Sequence, residues 1–295
     1  MKPISPDSDY SQSSECNNWK IFGHYAMNTQ FAIRFPQIQA NSRDLLIIAQ
    51  ACFEEIDRLE NLFSRYLEDS EITQINQLNT GQSLILNDDT YQILKISFEL
   101  SQQSEGFFDV TLGNYTLPQK LSQEPILLSP EPSFSIDPVR PVLSCLKKGC
   151  SLDLGAIGKG YALDCCREIL LSLGIESALL SAGNSTYLTL GTEPWEVVLR
   201  GSADQQKVVL KEEALSASGT AIQGSHIINP QKPNQRNYFT ENLWVKAKTA
   251  TYADATSTLC MIAPREIILS LKAQEQYFTE LYIEDPLHKK MVRSI

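Results

Sequence analysis

Four short polar segments carry the residue types that chemistry needs, and all four fall at turns or helix starts. The first runs Asp153-Leu-Gly-Ala-Ile-Gly-Lys159-Gly-Tyr-Ala-Leu-Asp164. A glycine-containing turn between a strand and a helix presents free backbone N–H groups, which suit a phosphate. Lys159 adds a compact positive charge. The spacing is neither a Walker A loop nor GxGxxG. A plain strand-to-helix turn with a solvated lysine fits the same letters. The second segment is Ala253-Asp-Ala-Thr-Ser-Thr258. On a helix, Asp254 and Thr258 share a face one turn apart. A carboxylate and a hydroxyl make a partial shell for Mg2+, which keeps several waters and binds substrate phosphates. Helix capping and a Thr bonded back to the preceding turn are the structural alternative.

The third segment, Ser225-His226-Ile-Ile-Asn-Pro230, puts one of only three histidines in a loop rich in Gly, Ser and Asn. Such a His serves as a general base, as a phosphate contact, or as neither. The fourth, Ser104-Glu-Gly-Phe107-Phe108-Asp109-Val-Thr111, sets two aromatics beside a carboxylate after a Gly turn. That suits a flat ring or a ribose; a Phe pair also packs a core.

The elements that position these segments read as follows. Residues 19–35 are strand-like, with partial alternation and aromatics. A helix is predicted over 43–63, its apolar residues at helical spacing, with Asn41-Ser42 as its cap. Ser70 begins a short helix, and Asp88 or Asp89 caps another that runs to about residue 103. Residues 106–118 are turn-rich, and 119–149, with five prolines, are strands and loops. A strand over 151–154 leads through the first chemical segment into a helix ended by Gly174. Short β-rich runs fill 177–209, and 218–236 is a loop. Helices over 252–261 and from Pro264 to 271, then a strand over 277–283, complete the chain. Strands and helices mix without regular βαβ alternation, so the class is α+β.

Composition bounds the function. The 295 residues make one large domain or two intimate ones at about 150 residues per domain. With 42% apolar and 20% charged residues the chain is globular. Its net charge of −10 argues against a nucleic-acid partner, which needs a basic footprint. No apolar run is long enough for a membrane span. Residues 1–18 are polar, carry no apolar signal core, and read as a flexible tail before a domain over 19–295. Seven cysteines without a Cys-x-x-Cys give neither a disulfide framework nor a zinc ribbon, and Cys165-Cys166 reads as buried apolar filling. A cytoplasmic location is expected.

The order of the segments says more than any one of them. Met27-Asn28-Thr29, Phe63-Ser64-Arg65-Tyr66 followed by Ser70-Glu71-Ile72 and Asn76, Ser104 to Thr111, Asp153 to Asp164, His226 to Pro230, and Ala253 to Thr258 follow one another as six motifs. In this order they resemble the ApbE family of flavin transferases, over about residues 23–283. The resemblance implies an α+β fold of mixed and antiparallel sheets flanked by helices, with an FAD site in a cleft. It implies Mg2+-dependent transfer of the FMN half of FAD to a Thr hydroxyl of an acceptor flavoprotein, releasing AMP. By similarity Ala156 (through its carbonyl), Asp254 and Thr258 hold the metal. Met27, Tyr66, Phe107, Phe108, Asp109, Asp153, Lys159 and Ile227 contact FAD, and His226 or a metal-side carboxylate such as Asp254 takes the Thr proton. The chain departs from the family pattern at Asn28 and Asn184, where the family has Gly; Asn suits a left-handed backbone there. It departs also at Ser185, Ala217 and Asn229, and over 231–235. These changes near His226 keep two other activities in view: FAD binding without catalysis, and hydrolysis of FAD to FMN and AMP.

Overall fold

The computed structural model describes residues 19–36, 42–116, 132–202, 205–220, 227–233, 238–285 and 287–295. The strand-like stretch at its start is two strands. β1 (Trp19–Ala26) and β2 (Thr29–Pro36) pair antiparallel, from Trp19 opposite Pro36 to Ala26 opposite Thr29. The chain reverses in Met27 and Asn28, at φ 48° and 57°. A two-residue turn that follows the twist of its strands needs positive φ at both positions. Asn28 therefore takes the left-handed backbone expected of it.

Helix α1 (Ser42–Phe63) buries Leu45, Ala49, Cys52, Ile56 and Leu59 on one stripe. α2 (Glu71–Gln77) is capped by Ser70, whose hydroxyl accepts from the Thr73 N–H at 3.0 Å. β3 (Ser83–Ile85) precedes α3 (Asp88–Gln103). The cap of α3 is Asn87, which accepts from the Asp89 N–H at 3.0 Å, and not Asp88 or Asp89. Those two carboxylates fill the first turn, where the helix dipole favours them. After the single turn α4 (Gly113–Thr116), β4 (Phe134–Ile136) and β5 (Val142–Cys145) join β3 in a small sheet ordered β3-β5-β4.

The remaining chain builds the main body. Helix α5 (Gly158–Ser172) leads to β6 (Ala178–Ala182), β7 (Thr186–Leu190), β8 (Trp195–Arg200), β9 (Gln205–Leu210), β10 (Ala214–Gly219) and β11 (Asn242–Ala247). Then come α6 (Ala250–Cys260), α7 (Arg265–Lys272), β12 (Glu280–Glu284) and β13 (Met291–Arg293). Eight strands form one sheet in the order β1-β2-β6-β7-β10-β11-β12-β13. Every pairing among the named strands is antiparallel.

Both faces of the central sheet are covered. Helices α1, α5 and α6 bury one face, with Ala178, Leu180, Leu188 and Val245 in that core. The β8–β9 hairpin packs Trp195, Val197, Leu199 and Leu210 against Leu179, Leu215 and Trp244 on the other. This explains why β6 is buried at every position while β8 alternates. It also explains why β11 was not foreseen: Leu243, Trp244, Val245 and Ala247 are all buried and show no period of two. The strand expected over 277–283 starts at Glu280 as β12, three residues later than expected, and a further strand, β13, follows it.

Residues 151–154 are not a strand. Their backbone groups go to other partners: the Asn76 amide holds both N–H and C=O of Leu152, at 2.6 and 3.1 Å, and Asp153 N–H donates to the Val110 carbonyl. One bridge, Leu112 to Ser151, is all the pairing they make. Among the described residues no helix is long and apolar enough to cross a membrane.

Helices α5 and α6 are clasped at two points. Asp164 of α5 accepts from the Ala250 N–H at 2.9 Å, from the Thr251 N–H at 2.8 Å, and from the Thr251 hydroxyl. It caps a helix that begins 86 residues away. Burial pushes the Asp164 carboxyl above its ordinary range, and the Thr251 and Ala250 donors pull it back. Replacing Asp164 by Ala strands three buried donors, and a loss of about 3 kcal/mol is expected in urea unfolding. An unchanged unfolding midpoint contradicts this role.

Candidate functional site

The second clasp joins two of the chemical segments picked out by their residue types. Asp254, 5% exposed, projects from the middle of α6 toward α5. Its Oδ2 accepts from the Gly160 N–H at 3.1 Å and lies 3.5 Å from Lys159 Nζ. Its Oδ1 lies 3.5 Å from the Thr186 hydroxyl and 3.4 Å from that of Ser216, and those two hydroxyls are 3.0 Å apart. One turn along α6, Thr258 Oγ1 lies 3.4 Å from Ser218 Oγ, which is 2.8 Å from Ser257 Oγ. Thus residues nearly a hundred positions apart, Lys159 and Asp254, meet with a shell of hydroxyls from β7 and β10.

The close approach depends on Gly160. A Cβ there would stand 2.2 Å from the Ala250 carbonyl oxygen and 2.9 Å from Asp254 Cβ. Because Gly160 turns its N–H to Asp254, the helical bond it would give to Ala156 is not made. Among the described residues no backbone amide donates to the Ala156 carbonyl.

These donors fit Mg2+. Among the described residues no three His, Cys, Asp or Glu side chains gather as a metal cluster. What gathers around Asp254 instead is neutral hydroxyls, and four residues before Gly160 the Ala156 carbonyl is left without an amide partner. An all-oxygen set with a single carboxylate matches a hard cation that also takes substrate phosphates and water.

The other residues expected to contact FAD have the following surroundings. Lys159 Nζ donates to the Gly155 carbonyl at 3.1 Å, within the turn that carries Ala156. Asp153 is paired with Arg65 at 2.8 Å and accepts from the Gly155 N–H at 2.9 Å. Tyr66 is 74% exposed, beside Arg65. Phe107 is half-buried, whereas the Phe108 side chain is buried in the core, its N–H donating to the Ser104 hydroxyl at 3.0 Å. Asp109 accepts from the Thr111 N–H at 2.8 Å. Burial raises its carboxyl above the usual range, against the pull of Thr111.

Met27 sits half-buried in the β1–β2 turn. That turn abuts the β6–β7 turn, where Gly183 at φ 60° donates to the Gln30 carbonyl at 2.7 Å. A Cβ on Gly183 would meet Thr29 Oγ1 at 2.7 Å. The left-handed residue here is Gly183 and not Asn184, so the exchange at Asn184 needs no unusual backbone. Ile227 is buried, and its carbonyl accepts from the Tyr238 hydroxyl at 2.8 Å. His226 lies outside the described residues.

A cleft of about 280 Å³ joins Phe107 to the altered loop, with Asn229, Gln231, Tyr238, Phe239 and Ile262 in its lining. Asn229 Oδ1 accepts from the Gln231 N–H at 2.9 Å, an Asx turn that Asp would make equally well. Gln231 in turn donates to the Glu105 carbonyl at 3.1 Å. Residue-type reasoning missed Arg65, Thr186, Ser216, Tyr238 and Phe239. Only Arg65 lay inside a motif; the others carry no local signal. The cysteines are passive: six are free among the described residues, and burial pushes Cys165 and Cys260 up to about 12.

Comparison with known proteins places this arrangement. The FAD:protein FMN transferase of Rhodobacter capsulatus is 25% identical over 275 residues, 84% of this chain and 52% of its own length. That of Vibrio cholerae is 24% identical over 270 residues, 81% of this chain and 80% of its own. The chain thus spans about half the length of the first relative and four-fifths of the second. The fold is shared with the flavinyl transferase ApbE of Pseudomonas stutzeri, apo form, at a TM-score of 0.77, 20% identity and 94% coverage of both chains. It is shared also with the ApbE protein of Thermotoga maritima, at 0.76 and 23% identity, covering 94% of this chain and 97% of that one. The ApbE family model matches residues 27–282, most of the length, and the chain belongs to the ApbE family.

Proposed function

We propose that this chain transfers the FMN moiety of FAD to a Thr hydroxyl of an acceptor flavoprotein, releasing AMP, with Mg2+ at Asp254, Thr258 and the Ala156 carbonyl. One observation carries the reading: the Gly160 N–H is diverted to the buried Asp254 carboxylate, which leaves the carbonyl of Ala156, one helical turn earlier in the chain, without an amide donor. Family membership and the names of the relatives support the same activity. When bound, Mg2+ supplies charge neutralisation at the pyrophosphate.

The residues of the chain do the rest. Lys159 and the N-terminus of α5 draw the anionic pyrophosphate into an otherwise acidic protein. Asp254 and Thr258 fix the cation from one helix face. Tyr66, Met27, Ile227 and the segment 107–109 bind the organic parts of FAD, with Asp153 holding the phosphate turn. His226, or a carboxylate on the metal side, takes the proton from the Thr hydroxyl. Residues 19–295 act as one flavin transferase domain in this reading. A cytoplasmic setting fits the six free thiols among the described residues.

Mass spectrometry of FAD products, with and without a Thr-containing acceptor flavoprotein, tests the proposal. Expected are AMP and a flavin-labelled acceptor when both proteins are present, suppressed by EDTA and restored by added Mg2+. Free FMN and AMP without acceptor would mean FAD hydrolysis instead. FAD retained with no AMP at any Mg2+ concentration would mean a binding protein.

A further inference from the structure

The Arg65 guanidinium stands where three parts of the proposed FAD site meet. Its side chain is only 5% exposed. Nη1 donates to the Gly113 carbonyl at 2.7 Å and to Asp153 Oδ2 at 2.8 Å. Its Cζ lies 5.4 Å from the centroid of the Tyr66 ring. Asp153 passes the constraint onward, because its Oδ1 accepts from the Gly155 N–H at 2.9 Å. Gly155 opens the turn that delivers Ala156 and Lys159. Gly113 closes the segment that holds Phe107 to Asp109, and that segment is tied to the turn by the Asp153-to-Val110 and Gly113-to-Ser151 backbone bonds.

We infer that Arg65 is a positioning residue for FAD. It holds the Tyr66 ring, the 107–113 segment and the 153–159 turn in one frame, and it acts through Asp153 on Ala156 and Lys159. The residue type follows from the task. A planar guanidinium makes directed bonds to a carboxylate and a carbonyl while its face lies against an aromatic ring. A lysine supplies one point charge and meets only part of that demand. Near-complete burial of the charge suits a fixed frame, since a buried cation is tolerated only with its partners in place.

This inference rests on the FAD-site reading, and its test separates the two. Full-length Arg65→Lys and Arg65→Gln proteins are compared with wild type in three measurements. These are FAD affinity by fluorescence titration, amide exchange by mass spectrometry, and kcat against KM for FAD in transfer. Loss of a hydrogen-bonding partner behind a metal ligand typically costs 10–100-fold in affinity or activity. Accordingly, FAD affinity should fall roughly 10-fold in Arg65→Lys and about 100-fold in Arg65→Gln. Exchange should quicken in peptides covering 110–113 and 153–159 and stay unchanged in β6 and β7. Adding Asp153→Asn to Arg65→Gln should weaken binding by less than about 2-fold more, because both act in one network.

Wild-type affinity and exchange in Arg65→Lys would overturn the inference, as would losses that multiply in the double variant. Should Arg65→Gln fail to fold, Arg65→Lys decides by the same criteria, with Arg65→Lys/Asp153→Asn as its double variant. A wild-type chain that binds FAD but transfers no FMN would sink only the transferase reading, since affinity and exchange are read without turnover.

Discussion

Asp254→Ala is expected to lower FMN transfer by roughly 10³-fold or more, equivalent to about 4 kcal/mol of transition-state stabilisation. Three losses coincide at this one position. The only carboxylate in the proposed cation shell goes. Lys159 loses its partner at 3.5 Å, and the Gly160 N–H loses its acceptor. Asp254→Asn separates them. It keeps the volume and an acceptor for Gly160, but it removes the charge a cation needs. Both variants should therefore fail in transfer, while only Asp254→Ala should also lose stability, by about 1–3 kcal/mol for the stranded buried donor. Mass spectrometry of the acceptor after incubation with FAD and Mg2+ reads the first effect, and thermal unfolding the second. An Asp254→Asn protein that labels the acceptor at the wild-type rate would remove Asp254 from the chemistry.

The second large effect belongs to a residue with no side chain. In an ordinary helix Gly→Ala gains about 1 kcal/mol in helix propensity. At Gly160 the added Cβ would stand 2.2 Å from a backbone oxygen and 2.6 Å from a backbone carbon of Ala250. Neither atom can swing aside as a flexible side chain does, so α5 and α6 must part. Overpacking of this kind costs typically 1–3 kcal/mol and occasionally more. The steric term exceeds the propensity term. A net loss of about 1–2 kcal/mol is expected, seen as a fall in Tm of roughly 2–8 °C for a domain this large. Transfer should fall with it, because parting the helices moves Lys159 from Asp254. Gly174→Ala, at a glycine with no atom within 4 Å of its added Cβ but with φ +74°, gives the contrasting case of backbone strain without a clash. It should cost stability and leave transfer intact. A Gly160→Ala protein with unchanged Tm would show that the interhelix contact yields more easily than its geometry implies.

The parts of this protein that the sequence announced are those with local causes. The α1 stripe, the Ser70 cap and the Gly174 stop depend on neighbours a few residues away. So does the hydroxyl–carboxylate spacing of Asp254 and Thr258. The parts it hid have distant causes. Residues 151–154 look like a strand until Asn76 and Val110 take their backbone groups. β11 carries no alternation because both sheet faces are covered. The role of Asp164 is invisible in its own helix, since its partners, Ala250 and Thr251, lie at the start of another. The six motifs in order brought Asp254, Lys159 and Asp153 into one hypothesis. They gave no reason to pair Asp153 with Arg65, because side-chain pairing across 88 residues leaves no spacing to read.

The reciprocal clasp between α5 and α6 also has a temporal side. Asp164 waits for Thr251, and Gly160 waits for Asp254, contacts separated by 87 and 94 residues. During synthesis the 153–159 turn emerges long before the helix that packs against it, and loop closure over such a span precedes any gain from contact. A ribosome-bound chain that has exposed Lys159 but not yet α6 has the proposed phosphate-attracting charge but not the carboxylate proposed to hold the cation. On the proposed reading, competence to engage FAD arrives late and all at once, when α6 leaves the exit tunnel.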